Sequence, residues 1–151
     1  MRADDRLLFW GMVLFLLSLL TGLVLAAGPA VVANPRGVLA GHLEGAMNGM
    51  FLLLVGLFID RLRLSDGQVW ACRASLLYGA FANWFFTTLA GIVGTSEATP
   101  LAGAGHAASP ALELFVTAGL GSVALATLVG VVLLLVGLRR AMHHPVIVEP
   151  V

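Results

Sequence analysis

Four long apolar stretches alternate with short polar segments along the chain, at 7–27, 38–59, 74–93 and 112–138. The first contains no charged residue, and as a helix with a rise of 1.5 Å per residue it would be roughly 31 Å long. That length is enough to cross the hydrocarbon core of a bilayer. The pattern therefore predicts an all-α fold, a four-helix transmembrane bundle that forms a single membrane domain over 1–151.

The second stretch reaches membrane length only if it includes polar residues. The segment 45–59 is apolar apart from Asn48, but it is too short to span the hydrocarbon. The helix must therefore begin near Val38, which places His42 and Glu44 inside the membrane.

A cleaved signal peptide is the alternative interpretation of the first stretch, because Leu25-Ala26-Ala27 resembles a cleavage site. Asp4 and Asp5 leave the residues before the apolar stretch without the net positive charge of a signal peptide. This charge pattern favours a retained transmembrane helix.

The arginines sort to one side of a four-span arrangement. Arg36 lies on one side, and the other seven lie opposite: Arg2, Arg6, Arg61, Arg63, Arg73, Arg139 and Arg140. Because arginine and lysine are enriched in cytoplasmic loops, this bias predicts that both termini are cytoplasmic.

The composition excludes several classes of protein. The chain is 60% hydrophobic and 11% charged, whereas about 25% of the residues of an ordinary soluble domain are charged. It has zero net charge and no lysine, so we expect no nucleic-acid partner. Membrane lipid is the expected surrounding. Cys72 is the single cysteine and cannot form an internal disulfide.

The polar residues within the second span are the strongest functional candidates. An ionisable side chain in a span costs several kcal/mol unless it is paired or faces a cavity, so it is a functional-site hypothesis by default. At 100° per residue, Glu44 and Asn48 lie about 40° apart, whereas His42 lies about 160° from Glu44. His42 is either a structural hydrogen-bonding residue or a ligand of haem iron or another transition metal.

Gly41, Gly45 and Gly49 form a stripe of small residues beside His42. Such a stripe usually permits close packing of two helices in a membrane. It would also let a flat cofactor lie against the backbone next to the histidine. The two interpretations are compatible.

The third span carries a second polar stripe, in which Gly79, Asn83 and Thr87 recur every four residues next to Tyr78. Interhelical hydrogen bonds are one interpretation. The other is that Asn83 and Tyr78 line a substrate pocket that faces Asn48.

Glu113 lies in the predicted first turn of the fourth helix, after Pro110. A carboxylate there is favoured by the helix dipole. The alternative is an acid that lines a pocket.

Two short segments resemble a known family. They are 42–50, which reads His-Leu-Glu-Gly-Ala-Met-Asn-Gly-Met, and 77–84, which reads Leu-Tyr-Gly-Ala-Phe-Ala-Asn-Trp. Both resemble segments of the bacterial hydroxylaminobenzene mutases. The His–x5–Asn–Gly and Ala–Asn features are also similar to styrene oxide isomerase, a small four-helix membrane enzyme.

The resemblance to styrene oxide isomerase implies a homotrimer that holds ferric haem b between neighbouring subunits. It implies that His42 is the axial iron ligand and that Asn48 lies beside the substrate. In that enzyme a tyrosine stands where Thr87 is found, and an aspartate stands where Gly79 is found. These departures, together with the His-Leu-Glu-Gly sequence at 42–45, favour the mutase branch of the family.

The mutase branch converts an N-aryl hydroxylamine to an aminophenol, so the expected partner is a small aromatic substrate. The resemblance implies a bacterial inner-membrane isomerase with iron as a Lewis acid. The expected catalytic residues are Asn48, Asn83, Tyr78 and Glu44, and the expected haem contacts are His42, Gly45 and Gly49. An epoxide isomerase and a non-catalytic haem-bearing or structural membrane subunit remain the alternatives.

Overall fold

The computed structural model of the chain describes residues 4–28 and 32–143; Arg2, which entered the orientation argument, lies outside them. These residues form four α-helices and no strand: α1 (Asp5–Ala26), α2 (Pro35–Phe58), α3 (Asp66–Val93) and α4 (Pro110–His143). A 3₁₀ turn at Ile59–Arg61 extends α2. All four helices are long and apolar enough to cross a membrane, which confirms the all-α transmembrane fold.

The helices begin before the apolar stretches, because capping residues rather than hydropathy determine where they start. Asn34 accepts hydrogen bonds from the backbone of Arg36 and Gly37, and so begins α2 at Pro35. Ser65 and Gln68 form a reciprocal capping box that begins α3. The predicted spans therefore cover only the apolar part of each helix, and the capping residues determine where the helix begins.

Each helix packs on the next one along the chain, and α1 also touches α3. In the described part of the chain α1 and α4 make no contact with each other. The arrangement is therefore an open row with α2 and α3 in the middle. Large apolar side chains point outward, and those of α2 form a continuous exposed face: Leu39, Leu43, Met47, Met50, Leu54 and Leu57.

Glycines bring α2 into direct backbone contact with both neighbours. A Cβ atom on Gly49 would lie 2.9 Å from the carbonyl oxygen of Gly11 and 2.9 Å from the amide nitrogen of Phe15, both on α1. A Cβ atom on Gly45 would lie 2.6 Å from Cδ1 of Trp84 on α3 and 2.9 Å from Cβ of Ser18 on α1. These distances are shorter than real Cβ contacts, so only glycine allows this helix spacing.

This packing corrects one interpretation of the glycine stripe. Gly41, Gly45 and Gly49 are all buried against α1 or α3, so no open groove runs along them within the chain. The haem contacts expected at Gly45 and Gly49 are not available, because neighbouring helices already fill that space. Close helix packing is the role that the stripe has here.

The described arginines lie at the two ends of the bundle as the sequence predicts. Arg6 begins α1, Arg61 and Arg63 follow α2, Arg73 lies near the start of α3, and Arg139 and Arg140 end α4; only Arg36 lies at the opposite end. Arg73 forms an ion pair with Asp4, the buried residue that caps α1, and a second pair with Asp60 at 3.4 Å. Charged groups thus tie three helices together at this end.

Replacing Gly49 with alanine should weaken the bundle, because the new methyl group meets the α1 backbone and forces the two helices apart. Overpacking of this kind costs about 1–3 kcal/mol. Gly121→Ala is the matched control, since Gly121 lies in α4 with nothing within 4 Å of the added Cβ. Thermal unfolding of the two variants in the same detergent measures the difference. Equal stability of the two variants would contradict the packing described here.

Candidate functional site

His42 lies at the contact between α2 and α1. Its Nδ1 is 2.7 Å from the carbonyl oxygen of Ser18, and the Ser18 hydroxyl donates to the carbonyl oxygen of His42 at 2.6 Å. Because a carbonyl oxygen only accepts hydrogen bonds, Nδ1 carries a proton. In the neutral form of the ring the lone pair is then on Nε2, which is the state of a histidine that ligates a metal.

The surroundings of His42 suit a flat apolar group. Leu39 and Leu43, its neighbours on α2, are 42% and 51% exposed. Leu19 and Leu23, which follow its contacts Ser18 and Gly22 on α1, are 49% and 67% exposed. A haem brings four ligands of its own and requires only an axial ligand and an apolar surface. An imidazole with exposed leucines on both sides fits that requirement.

A metal ion bound by protein ligands alone has less support. Among residues 4–28 and 32–143, no group of three or more His, Cys, Asp or Glu side chains lies close enough together to hold one. His42 therefore fits the role of a single axial ligand better than that of a member of a ligand cluster.

Glu44 faces α3, on the other side of α2 from His42. The side-chain amide of Asn83 donates to Glu44 Oε2 at 2.7 Å. Glu44 and His42 thus face opposite sides of α2, as helical periodicity predicts. The Glu44–Asn83 hydrogen bond joins the polar stripes of the second and third spans, because the two side chains lie at the same level along the bundle.

Asn48 lies one helical turn from Glu44 on the same face of α2. Its Nδ2 atom is buried, and it donates no hydrogen bond within the described part of the chain. A buried donor without a partner costs about 1–3 kcal/mol. A polar group that enters the bundle and accepts a hydrogen bond from Asn48 would therefore be stabilised. We refer to Glu44, Asn48 and Asn83 as the α2–α3 polar cluster.

Tyr78 does not belong to this cluster. Its hydroxyl lies 2.6 Å from the Ser122 hydroxyl on α4, and Ser122 in turn donates to the carbonyl oxygen of Gly119. Tyr78 and Asn83 are about 140° apart around α3, so they face different neighbours. The structure therefore contradicts the prediction that Tyr78 and Asn83 line one pocket facing Asn48, because Tyr78 faces α4 instead.

Glu113 holds the loop that joins α3 to α4. Its carboxylate accepts hydrogen bonds from the backbone amides of Ser96, Glu97 and Ala108, each at 3.1 Å. Because both oxygens are engaged, the structure favours an anchoring role over a pocket acid.

Two polar contacts were not anticipated from the sequence. Ser18 holds His42, as described above, and the indole nitrogen of Trp84 donates to the Thr21 hydroxyl at 3.0 Å. Both contacts involve α1, whose sequence is almost entirely apolar. A serine or threonine in such a stretch indicates a possible hydrogen bond to another helix, but the identity of the partner depends on how the helices pack.

The chain is similar to known proteins over most of its length. A family model described as styrene oxide isomerase matches residues 3–139. Hydroxylaminobenzene mutase HabB of Ectopseudomonas oleovorans is 44% identical over 137 residues, which cover 90% of this chain and 81% of that protein. Hydroxylaminobenzene mutase HabA of the same organism is 39% identical over 131 residues, which cover 86% of this chain and 94% of that protein. No solved structure matches the chain.

The Glu44–Asn83 bond can be tested with a double-mutant cycle. Asn83→Leu leaves a carboxylate in the bundle without its donor, which should lower the free energy of unfolding by about 1–3 kcal/mol. Glu44→Leu combined with Asn83→Leu should recover most of that loss, because both polar groups are then gone. Detergent unfolding of the wild type, the two single variants and the double variant measures the coupling. Strictly additive effects would show that the two side chains do not interact.

Proposed function

The chain belongs to the styrene oxide isomerase family, and on that premise we propose that it converts aryl hydroxylamines such as hydroxylaminobenzene to 2-aminophenols. Members of this family and the related mutases are isomerases, and this chain is one as well. The choice of substrate depends on one observation, the similarity to two hydroxylaminobenzene mutases over most of the chain.

The cofactor of this proposal is ferric haem b, which His42 would hold through Nε2. When bound there, it would supply Lewis-acid chemistry of the kind that weakens the N–O bond of a hydroxylamine. The carbonyl oxygen of Ser18 fixes the orientation of the imidazole and keeps its proton on Nδ1. The exposed leucines around His42 keep the surroundings free of water, which would otherwise capture a cation formed on the ring.

The α2–α3 polar cluster provides the hydrogen-bonding groups for the substrate. Asn48 has a buried amide donor without a partner, so it can bind a lone pair of the substrate oxygen or nitrogen. Asn83 holds the Glu44 carboxylate in place through its own amide. No electron is gained or lost overall, so the reaction needs neither nicotinamide nor flavin.

Within one chain, His42 and the α2–α3 polar cluster do not face the same space. His42 lies on the α1 side of α2, and the polar cluster lies on the α3 side, about 160° around the helix. A neighbouring copy can bring its polar cluster to the His42 surface of the first. We therefore include the homotrimer in the proposal, in a bacterial inner membrane with the arginine-rich end and both termini in the cytoplasm.

An epoxide isomerase is the second candidate, because the matching family model is described as styrene oxide isomerase. The same iron site would serve that reaction. The two candidates differ in substrate, and so a product assay separates them.

Purified protein should convert hydroxylaminobenzene to 2-aminophenol and leave styrene oxide largely unchanged. Chromatography of the products from each substrate, with boiled protein as the control, measures both conversions. Conversion of styrene oxide alone would replace the mutase by the epoxide isomerase.

The detergent-purified protein should show a Soret absorption band, and His42→Ala should abolish most of it. His106→Ala is the matched control, because His106 lies in the loop that follows α3. It should keep both the band and the activity. Full activity in colourless protein without iron would remove the haem from the proposal.

A further inference from the structure

Glu44 is a carboxylate placed well inside a membrane-spanning helix. Such a group costs several kcal/mol in hydrocarbon unless it is paired or faces a cavity, and it is a functional-site candidate for that reason. Asn83 satisfies Oε2, whereas Oε1 has no hydrogen-bond partner among the described residues. The side chain is partly exposed, so this second oxygen is accessible to a group outside the chain.

The proposed reaction requires a group that moves a proton. In going from hydroxylaminobenzene to 2-aminophenol, the N–O bond breaks and a C–O bond forms at the ortho carbon. The C–H bond at that carbon then breaks, and a new N–H bond forms. All atoms and electrons of the substrate are retained, but one proton must leave carbon and one must reach nitrogen.

Epoxide isomerisation makes no such demand. There the hydrogen migrates to the adjacent carbon with its electron pair, within the substrate itself. A carboxylate at the site is therefore useful to a mutase and unnecessary to an epoxide isomerase.

Several other ionisable groups of the described residues have partners elsewhere. Both oxygens of Glu113 bind the loop after α3, and Tyr78 is turned toward α4. Asp4 and Asp60 pair with Arg73 at the arginine-rich end of the bundle. Glu44 alone among these carboxylates combines a position within the membrane with a free oxygen.

We propose that Glu44 is the proton carrier of the mutase reaction: Oε1 takes the proton from the ortho carbon and returns a proton to the nitrogen. This inference rests on the proposed function. Asn83 is a positioning residue, because its amide holds Oε2 and thereby directs Oε1 away from α3. The carboxylate ends each turnover in the form in which it began, so no external acid or base is needed.

Glu44→Gln separates this role from a structural one. The amide oxygen of glutamine still accepts the hydrogen bond from Asn83, so the helix contact is kept, but the side chain no longer carries a proton from carbon. Turnover should fall by about 10²–10⁴-fold, the usual contribution of a general acid–base group. Glu97→Gln makes the same chemical change in an exposed loop residue and should have wild-type turnover.

An isotope experiment supplies a signal that a structural role would not change. With hydroxylaminobenzene deuterated at both ortho positions, Glu44→Gln should show a primary isotope effect on turnover. The wild type should show little, because assisted C–H cleavage is fast there. Binding of the unreactive analogue aniline, followed by its effect on the Soret band, should be the same in both proteins.

The outcomes distinguish the two levels of the proposal. An active wild type, together with a Glu44→Gln variant that has normal turnover and no isotope effect, overturns the proton-carrier role only. A wild type that makes no 2-aminophenol overturns the proposed function and this inference with it. If Glu44→Gln does not fold, Glu44→Asp replaces it: slowed turnover with an isotope effect supports the role, and unchanged turnover refutes it.

Discussion

The close approach of α2 to α1 and α3 is the contact on which the rest of the molecule depends. Lipid chains are as apolar as leucine, so hydrophobicity cannot drive helices together inside a membrane. Close packing and hydrogen bonds must do so instead. Glycines at positions such as 45 and 49 let the α2 backbone touch its neighbours, and this contact determines where every polar side chain of α2 points.

The consequence is a helix with polar groups on two opposite sides. The glycine contacts hold α2 in one rotation, so His42 faces α1 and Glu44 faces α3. Each polar group finds a partner that stabilises it in the membrane: a backbone carbonyl for the imidazole and an amide for the carboxylate. Among the described residues, Nε2 of His42 and Oε1 of Glu44 have no hydrogen-bond partner, which is the arrangement that the proposed iron ligand and proton carrier require.

The polar residues at the ends of the helices have a different task. At one end, Arg73 pairs with Asp4 and Asp60 and so connects the starts of α1 and α3 to the end of α2. At the other end, Glu113 accepts hydrogen bonds from backbone amides of the loop between α3 and α4. These contacts lie where backbone groups would otherwise lack partners. They keep the row of helices in register, although α1 and α4 do not touch each other in the described residues.

The sequence by itself determined the number of helices, the sorting of the arginines and the separation of His42 from Glu44. These features depend on hydropathy, charge and the 3.6-residue period, all of which are local. It did not determine the partners. Whether Gly45 and Gly49 contact a cofactor or a helix, whether Tyr78 joins Asn83, and that Ser18 holds His42 depend on how the helices rotate against one another. Only the tertiary structure decided these points, because helix rotation is set by contacts between residues far apart in the chain.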